Sequence, residues 1–188
     1  GAVNTIVNDD GRLTGYITDG EGFVHNLKDH GVDIKGKKIT VAGGGGAATA
    51  IQVQCALDGA REITIFNIKD AFFERTLQTA EKIRKAVPGI VVNVYDIADT
   101  AKMTEEITSS DIFANATIVG MKPMDDQSVV KDLSAFRPGL YVMRFIIRQR
   151  QNCCGKQKKQ DVPALEAREC FCGREWPHSG YIQVWICR

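Results

Sequence analysis

Short apolar runs rich in β-branched residues recur through the first 143 residues, and longer amphipathic segments separate them. Each run predicts a strand, because it is too short for a helix and turn-forming residues bound it. The predicted strands are KKITVA (37–42), EITIFN (62–67), IVVNVYD (90–96), DIFANAT (111–117) and GLYVM (139–143). Since the runs are nearly continuous in apolar residues and alternate with helices, they predict a parallel sheet covered on both faces.

The segments between the runs carry helical periodicity. Helices are predicted at 20–29, 47–57, 72–87 and 101–107. In the third, Phe73, Leu77, Ala80 and Ile83 recur at the spacing of one helix face, which predicts that they pack on the sheet. Residues 1–16 differ, since NTIV and RLTGY flank the turn signal NDDG and predict a β-hairpin. The whole pattern predicts an α/β fold with a Rossmann-like, doubly wound parallel sheet in three α/β/α layers.

Composition and charge set the broad class. The chain has 188 residues, of which 44% are hydrophobic and 25% charged, as is typical of a globular protein with one sizeable core. A formal net charge of +1 gives no reason to expect nucleic acid or a membrane surface as a partner. No apolar run approaches the roughly 18 residues of a spanning helix, and the first residues lack a signal-peptide layout. The cytoplasm is the expected compartment.

Four consecutive glycines, residues 43–46, join the first predicted parallel strand to the helix that follows. Glycine permits a tight turn and lets backbone N–H groups approach a pyrophosphate closely. The N-terminus of the next helix offers unpaired N–H groups and a partial positive charge to the same anion. The segment therefore predicts a dinucleotide-binding turn, with a flexible loop that binds nothing as the alternative.

Two acidic residues have two interpretations each. Asp70 follows the second parallel strand at about the spacing of the acidic residue that binds the adenine ribose in dinucleotide sites, and it could equally cap the next helix. Asp19 precedes the first predicted helix and could cap it. Taken alone, Asp19 fits a cap better than a catalytic role.

Six separated motifs together identify a resemblance. They are GAVNT (1–5), GYITDGEGF (15–23), KKITVAGGGGAATAI (37–51), ITIFNIKDAFF (63–73), DIFANATIVGMKP (111–123) and RPGLYVM (137–143). In this order they resemble the shikimate dehydrogenase family, and within it the quinate/shikimate branch. The resemblance implies a C-terminal NAD(P)-binding domain over residues 1–143, which in the family follows an N-terminal substrate domain.

The resemblance also implies roles for individual residues. Asp19 matches the catalytic aspartate, and Asn4 and Thr18 match residues close to the substrate. Cofactor contacts are implied for Gly43, Gly44, Gly45, Gly46, Ala47, Asn67, Asp70, Thr117, Val119, Gly120 and Met121. Of these, the glycines and Ala47 form the pyrophosphate turn, and Asn67 and Asp70 contact the adenosine ribose. The four residues from Thr117 to Met121 lie in the loop beside the nicotinamide.

The implied activity is hydride transfer between NAD or NADP and the ring alcohol of shikimate or quinate, including reduction of 3-dehydroshikimate in aromatic amino acid biosynthesis. A Lys–Asp pair moves the hydroxyl proton while the nicotinamide performs the redox step. The lysine belongs to the N-terminal domain, so we expect the missing domain to be a partner and this chain alone to be inactive. The alternative is a truncated remnant that binds only a dinucleotide or a protein partner. The sequence leaves a homodimer open.

Three isoleucines depart from the family motifs. Ile17 stands where the family has asparagine, Ile68 where it has arginine and Ile118 where it has lysine. Each charged hydrogen bond lost in this way costs about 1.5–3 kcal/mol. Loss of the arginine is expected to weaken the use of a cofactor with a 2′-phosphate.

The tail, residues 144–188, shows no periodicity and does not match the family, so we expect an atypical, irregular segment. Codons for these residues, read one base out of phase, can encode the family's C-terminal pattern. Asn152–Cys153 and Cys153–Cys154 must each give leucine, as must Phe171–Cys172. We therefore interpret the tail as a shifted-frame reading of the family's C-terminus, which the gene's nucleotide sequence would test.

The same tail concentrates the cysteines, at positions 153, 154, 170, 172 and 187. With His178 they could suggest zinc. However, the single residue between Cys170 and Cys172 suits tetrahedral coordination poorly. We expect no metal site.

Overall fold

The computed structural model describes residues 3–124, 126–146 and 181–186. Within them lie a two-stranded sheet, a six-stranded sheet and four α-helices. In chain order the elements are β1 (Thr5–Asp9), β2 (Arg12–Tyr16), α1 (Asp19–Asp29), β3 (Lys38–Ala42), α2 (Gly46–Leu57), β4 (Glu62–Asn67), α3 (Phe73–Ala86), β5 (Val91–Asp96), α4 (Thr100–Thr108), β6 (Ile112–Asn115), a 3₁₀ turn (Leu133–Ala135), β7 (Tyr141–Ile146) and β8 (Tyr181–Ile186).

The large sheet has the strand order β5-β4-β3-β6-β7-β8. Its first five strands are parallel. From β3 the chain builds outward through β4 and β5, and it then crosses over to add β6 and β7 on the other side of β3. This reversal confirms the predicted Rossmann-like, doubly wound fold.

Alternate residues of the central strands face two separate cores. Ile63 and Ile65 of β4 pack with α1, α2 and α3. Phe66 of β4 and Phe113 of β6 pack with α4 and the 3₁₀ turn on the opposite side. Because strand side chains alternate with a period of two, a strand that is apolar throughout is buried by layers on both faces. The three predicted layers follow from this alternation.

Two features of the elements differ from the sequence prediction. In α3, Thr76 is buried and Leu77 lies partly exposed, because the face turned to the sheet is rotated slightly from the predicted one. In the expected irregular tail, β7 continues to Ile146, and residues Tyr181–Ile186 form β8, antiparallel to β7. For Tyr181–Ile186 the expectation is corrected, because β7 provides backbone partners that local sequence does not reveal. The rest of the tail, including the cysteines and His178, lies outside the described residues, so the frame-shift interpretation and the boundary at residue 143 stay predictions.

A buried ionic network ties α4 to the amino ends of the central strands. Lys38 Nζ of β3 lies 2.8 Å from a carboxylate oxygen of Glu106 and 3.0 Å from one of Glu62. Glu106 also lies 3.0 Å from Lys102 Nζ and accepts a hydrogen bond from the Thr64 hydroxyl. Lys38 is 7% exposed and Glu106 is 5% exposed. The network therefore satisfies two charges that would otherwise be costly to bury.

Helices α1 and α2 pack tightly against each other at Gly20. A Cβ atom placed on Gly20 would lie 2.4 Å from the backbone oxygen of Ala50 and 2.8 Å from Cβ of Gln54. The backbones can therefore approach this closely only with glycine at this position.

We expect Gly20→Ala to lower the free energy of unfolding by about 1–3 kcal/mol, since the added methyl group forces the two helices apart. Urea denaturation measures the change. The neighbouring, exposed Glu21→Ala is the matched control and should change stability by less than about 0.5 kcal/mol. A Gly20→Ala protein as stable as the wild type would contradict tight helix packing at this point.

Candidate functional site

The glycine segment leaves the carboxyl end of β3 and enters α2 at Gly46. Gly43 has a φ of 121°, a conformation that other residues rarely adopt, and its N–H donates to the carbonyl of Phe66. A Cβ atom on Gly44 would lie 2.5 Å from both Asn67 Nδ2 and Thr76 Oγ1. The first two glycines are thus required by the packing of the turn against β4 and α3.

Gly45 has a different role from the two preceding glycines. Its backbone is extended, and a Cβ atom there would meet nothing within 4 Å. Gly45 and Gly46 are exposed, and no side chain of the described residues caps α2. The first N–H groups of α2 therefore lack a side-chain acceptor there, and such a helix start is suited to bind a pyrophosphate.

The turn lies at the point where the strand order reverses. β3 pairs with β4 on one side and with β6 on the other. A Cβ atom on Gly43 would lie 2.9 Å from the carbonyl oxygen of Ala116, the residue after β6. In open α/β sheets, ligands bind in this crevice beyond the carboxyl ends of the strands.

Asn67 and Asp70 lie at the end of β4, beside the glycine turn. Asn67 Nδ2 donates to the Thr76 hydroxyl over 2.9 Å and lies next to Gly44. Asp70 is exposed, and one oxygen of its carboxylate accepts the N–H of Phe72, which directly precedes α3. Asp70 thus organises the start of α3 from two residues before it, without being its N-cap residue. Within the described residues, its second carboxylate oxygen accepts no hydrogen bond.

The loop after β6 contains the residues predicted to lie beside a nicotinamide. Asn115 organises it: its side-chain oxygen accepts from the N–H and the hydroxyl of Thr117, and its amide donates to the carbonyl of Val119. Gly120 has a φ of 88°, and Met121 N–H bonds to the carbonyl of Ile118. Because β6 lies parallel to β3 and pairs with it, this loop and the glycine turn leave the same edge of the sheet.

Asn4, Thr18 and Asp19 form a third group, where the hairpin meets α1. Asn4 Nδ2 donates to Asp19 Oδ1 over 2.6 Å, and Asn4 Oδ1 accepts the N–H of Thr18 over 3.0 Å. Because the backbone N–H can only donate, it fixes which end of the Asn4 amide points to Asp19. Asp19 precedes Gly20, which packs against Ala50 of α2. The group is therefore next to the helix that starts at the glycine turn.

Asp19 has an altered acidity. Burial raises the pKa of its carboxyl group, and the hydrogen bond from Asn4 lowers it, with a net rise above the ordinary value. Asp19 is the first residue of α1, whose N-cap residue is Thr18, and no side chain caps this helix. The simple cap proposed as its alternative role is therefore not what the structure contains.

Replacing Asn4 with alanine should raise the pKa of Asp19 further, because the substitution removes the hydrogen bond that stabilises the carboxylate. The pKa is measured by following the chemical shift of the Asp19 carboxyl carbon by NMR as the pH is varied. Asn8→Ala is the control, since the Asn8 side chain contacts the hairpin turn at Gly11 instead. A pKa of Asp19 that falls or stays constant in Asn4→Ala would contradict the pairing.

Sequence reasoning missed three residues that shape the crevice: Gln52, Thr76 and Asn115. Gln52 is fully buried in α2 and donates to the carbonyl of Gly43 over 3.1 Å, which holds the turn in place. A glutamine on the buried side of an otherwise apolar helix was a signal available in the sequence. Thr76 had no such signal, since its contacts are decided by the packing of α3.

The three isoleucines at motif positions all lie at the surface. Ile17 is 41% exposed, Ile68 60% and Ile118 64%. Their side chains are therefore not part of the hydrophobic core. None of them can donate a hydrogen bond where the resemblance implies a polar contact.

Within the described residues, no helix has both the length and the apolar character needed to cross a bilayer. The same residues contain no cluster of three or more histidine, cysteine or acidic side chains that could hold a metal ion.

Comparison with known proteins supports the sequence resemblance, although no family model matches the chain. The chain is 44% identical over 160 residues to a quinate/shikimate dehydrogenase of Escherichia coli O139:H28, covering 85% of this chain and 55% of that relative. It is similar in structure, with a TM-score of 0.70 and 50% identity, to shikimate 5-dehydrogenase from Listeria monocytogenes in complex with shikimate and NAD, covering 75% of this chain and 48% of the other. A shikimate dehydrogenase in complex with NADP⁺ matches with a TM-score of 0.62 and 30% identity, covering 77% and 47% of the two chains.

These matches confirm the predicted likeness to shikimate and quinate dehydrogenases, and the matched structures contain NAD or NADP⁺. The chain spans about half the length of the relatives it matches.

Proposed function

We propose that this chain, which is related in sequence and fold to shikimate and quinate dehydrogenases, is the NAD(P)-binding part of an oxidoreductase. Its substrate would be the ring alcohol of shikimate or quinate, or the corresponding ketone. The observation that carries the proposal is the open, uncapped glycine turn at the reversal of the strand order.

The described residues divide the work of cofactor binding. The N–H groups after Gly45 would hold the pyrophosphate, and Asn67 and Asp70 would contact the adenosine ribose. The loop Thr117–Met121 would border the nicotinamide, which supplies hydride transfer when bound. Gln52 and Asn115 keep the two sides of the crevice in shape.

Asp19 would act in proton transfer at the substrate hydroxyl. Its raised pKa brings the carboxyl group closer to the range in which a side chain can both hold and release a proton. Asn4 and Thr18 orient it. Among the described residues no lysine pairs with Asp19, so we expect binding of the dinucleotide by this chain without turnover.

A second candidate is a remnant that retains only dinucleotide binding, or has lost that too. The exposed Ile68 and Ile118 favour it, because neither can contribute charge to the cofactor.

Fluorescence titrations with NADH and NADPH, beside turnover assays on shikimate and quinate, test the proposed function. Binding without turnover is compatible with both candidates, whereas no binding of either dinucleotide favours the remnant. Binding of either dinucleotide without turnover is the expected result, and the two titrations also compare the cofactors. Turnover by this chain alone would contradict the expectation that it is inactive without the lysine of the N-terminal domain. Absence of binding would overturn the proposed function.

A further inference from the structure

Arg144 lies at the carboxyl edge of the sheet, beside the loop that would border the nicotinamide. It pairs in register with Asn115, the residue that organises this loop. A Cβ atom placed on Gly120 would lie 2.7 Å from Nη2 of Arg144 and 3.1 Å from Cζ. The guanidinium group therefore occupies the space that a side chain at position 120 would fill.

This guanidinium has no carboxylate partner in the described part of the chain. Its Nε atom is buried and makes no hydrogen bond there. Burial lowers the pKa of Arg144, but arginine stays charged in proteins. A positive charge that no carboxylate among the described residues compensates therefore lies against Gly120, in the loop Thr117–Met121.

The two redox forms of the cofactor differ in charge at this end. The oxidised nicotinamide ring is a cation, whereas the reduced ring is neutral. A fixed positive charge beside the ring repels only the oxidised form, and partial burial limits the screening of that repulsion by solvent.

We propose that Arg144 makes this site favour the reduced dinucleotide over the oxidised one. The inference rests on the proposed function, which places the nicotinamide against this loop. For two unit charges about 10 Å apart in partly buried surroundings, the effect on relative affinity is about tenfold.

The test uses the full chain and measures the dissociation constant of NADH by fluorescence and that of NAD⁺ by competition. Neutralising Arg144, in Arg144→Met and separately in Arg144→Gln, should reduce the ratio of the NAD⁺ constant to the NADH constant about tenfold. Arg144→Lys keeps the charge and should keep most of the ratio. Lys85→Met removes an exposed charge from the last turn of α3, which leads to the opposite edge of the sheet, and should leave the ratio unchanged.

The dissociation constants distinguish a failed role of Arg144 from a failed proposed function. An unchanged ratio in both neutral variants, with NADH still bound, would overturn the role of Arg144 and leave the proposed function standing. A wild-type chain that binds neither NADH nor NAD⁺ would overturn both. A ratio that falls equally in Arg144→Lys would assign the effect to packing at Gly120 and contradict the electrostatic proposal.

Discussion

Replacing Glu106 with glutamine should lower the free energy of unfolding by about 3 kcal/mol. The substitution keeps the shape of the side chain and the contact with the Thr64 hydroxyl, but it removes the charge that faces Lys38. Lys38 would remain buried with only Glu62 to compensate it. Since a domain is typically stable by about 5–15 kcal/mol, the loss is large, and urea denaturation measures it directly.

Glu105→Gln is the matched control, because Glu105 lies on the same helix and pairs with the same Lys102. Its side chain is 68% exposed, so its loss should cost less than about 1 kcal/mol. Equal losses in the two variants would mean that burial of the network contributes nothing beyond a surface ion pair.

The pH dependence provides an independent measurement of the same network. Burial alone would raise the pKa of Glu106, but hydrogen bonds from Lys38, Lys102 and Thr64 outweigh it, and the net pKa is lowered. The stability that Glu106 contributes is therefore present above its unfolded-state pKa and is lost as the pH falls through its folded-state pKa. Below about pH 4 the wild type should lose stability more steeply than Glu106→Gln. Parallel acid profiles would count against the assignment.

Replacing Gly45 with aspartate should weaken NADH binding at least about 100-fold while leaving the fold intact. The extended backbone of Gly45 accepts any residue, and there is open space for the new side chain. A carboxylate at this position caps α2 and favours its positive end, so stability should stay constant or rise slightly. The same carboxylate occupies the N–H groups and repels the pyrophosphate. NADH titration and thermal unfolding of the same sample separate the two effects.

Gly45→Asn controls for size, since asparagine also caps helices but carries no charge. The affinity of Gly45→Asn for NADH should fall less than that of Gly45→Asp. The difference between the two affinities measures the repulsion between the carboxylate and the pyrophosphate. If Gly45→Asp binds NADH as the wild type does, the anion does not lie at this turn, and the proposed function loses its main support.

Local patterns predicted nearly all of the regular elements. The five parallel strands and four helices occur within a few residues of their predicted bounds, and the hairpin forms where NDDG predicts a turn. This worked because each strand is a short β-branched run and each helix has its own periodicity, so the local preferences agree with the fold. The resemblance then named the crevice residues, but neither it nor the comparisons test their individual roles.

Other features depend on contacts between residues far apart in sequence. Nothing in α3 marks Thr76 as the partner of Asn67, and nothing near Tyr181–Ile186 indicates that β7 would provide its hydrogen bonds. Likewise, the residues around Lys38 and Glu62 in their strands do not indicate that Glu106 of α4 completes their ionic network.

The sequence by itself determined the α/β class, the order of its elements and the glycine turn, because these follow from side-chain periodicity and from the backbone freedom of glycine. Only the tertiary structure decided that Gly45 faces open space, that Asn4 holds Asp19, and that Arg144, without a carboxylate partner in the described ranges, lies against Gly120. The reason is physical: exposure, hydrogen-bond pairing and uncompensated charge depend on which distant segments the fold brings together, and no local pattern records them.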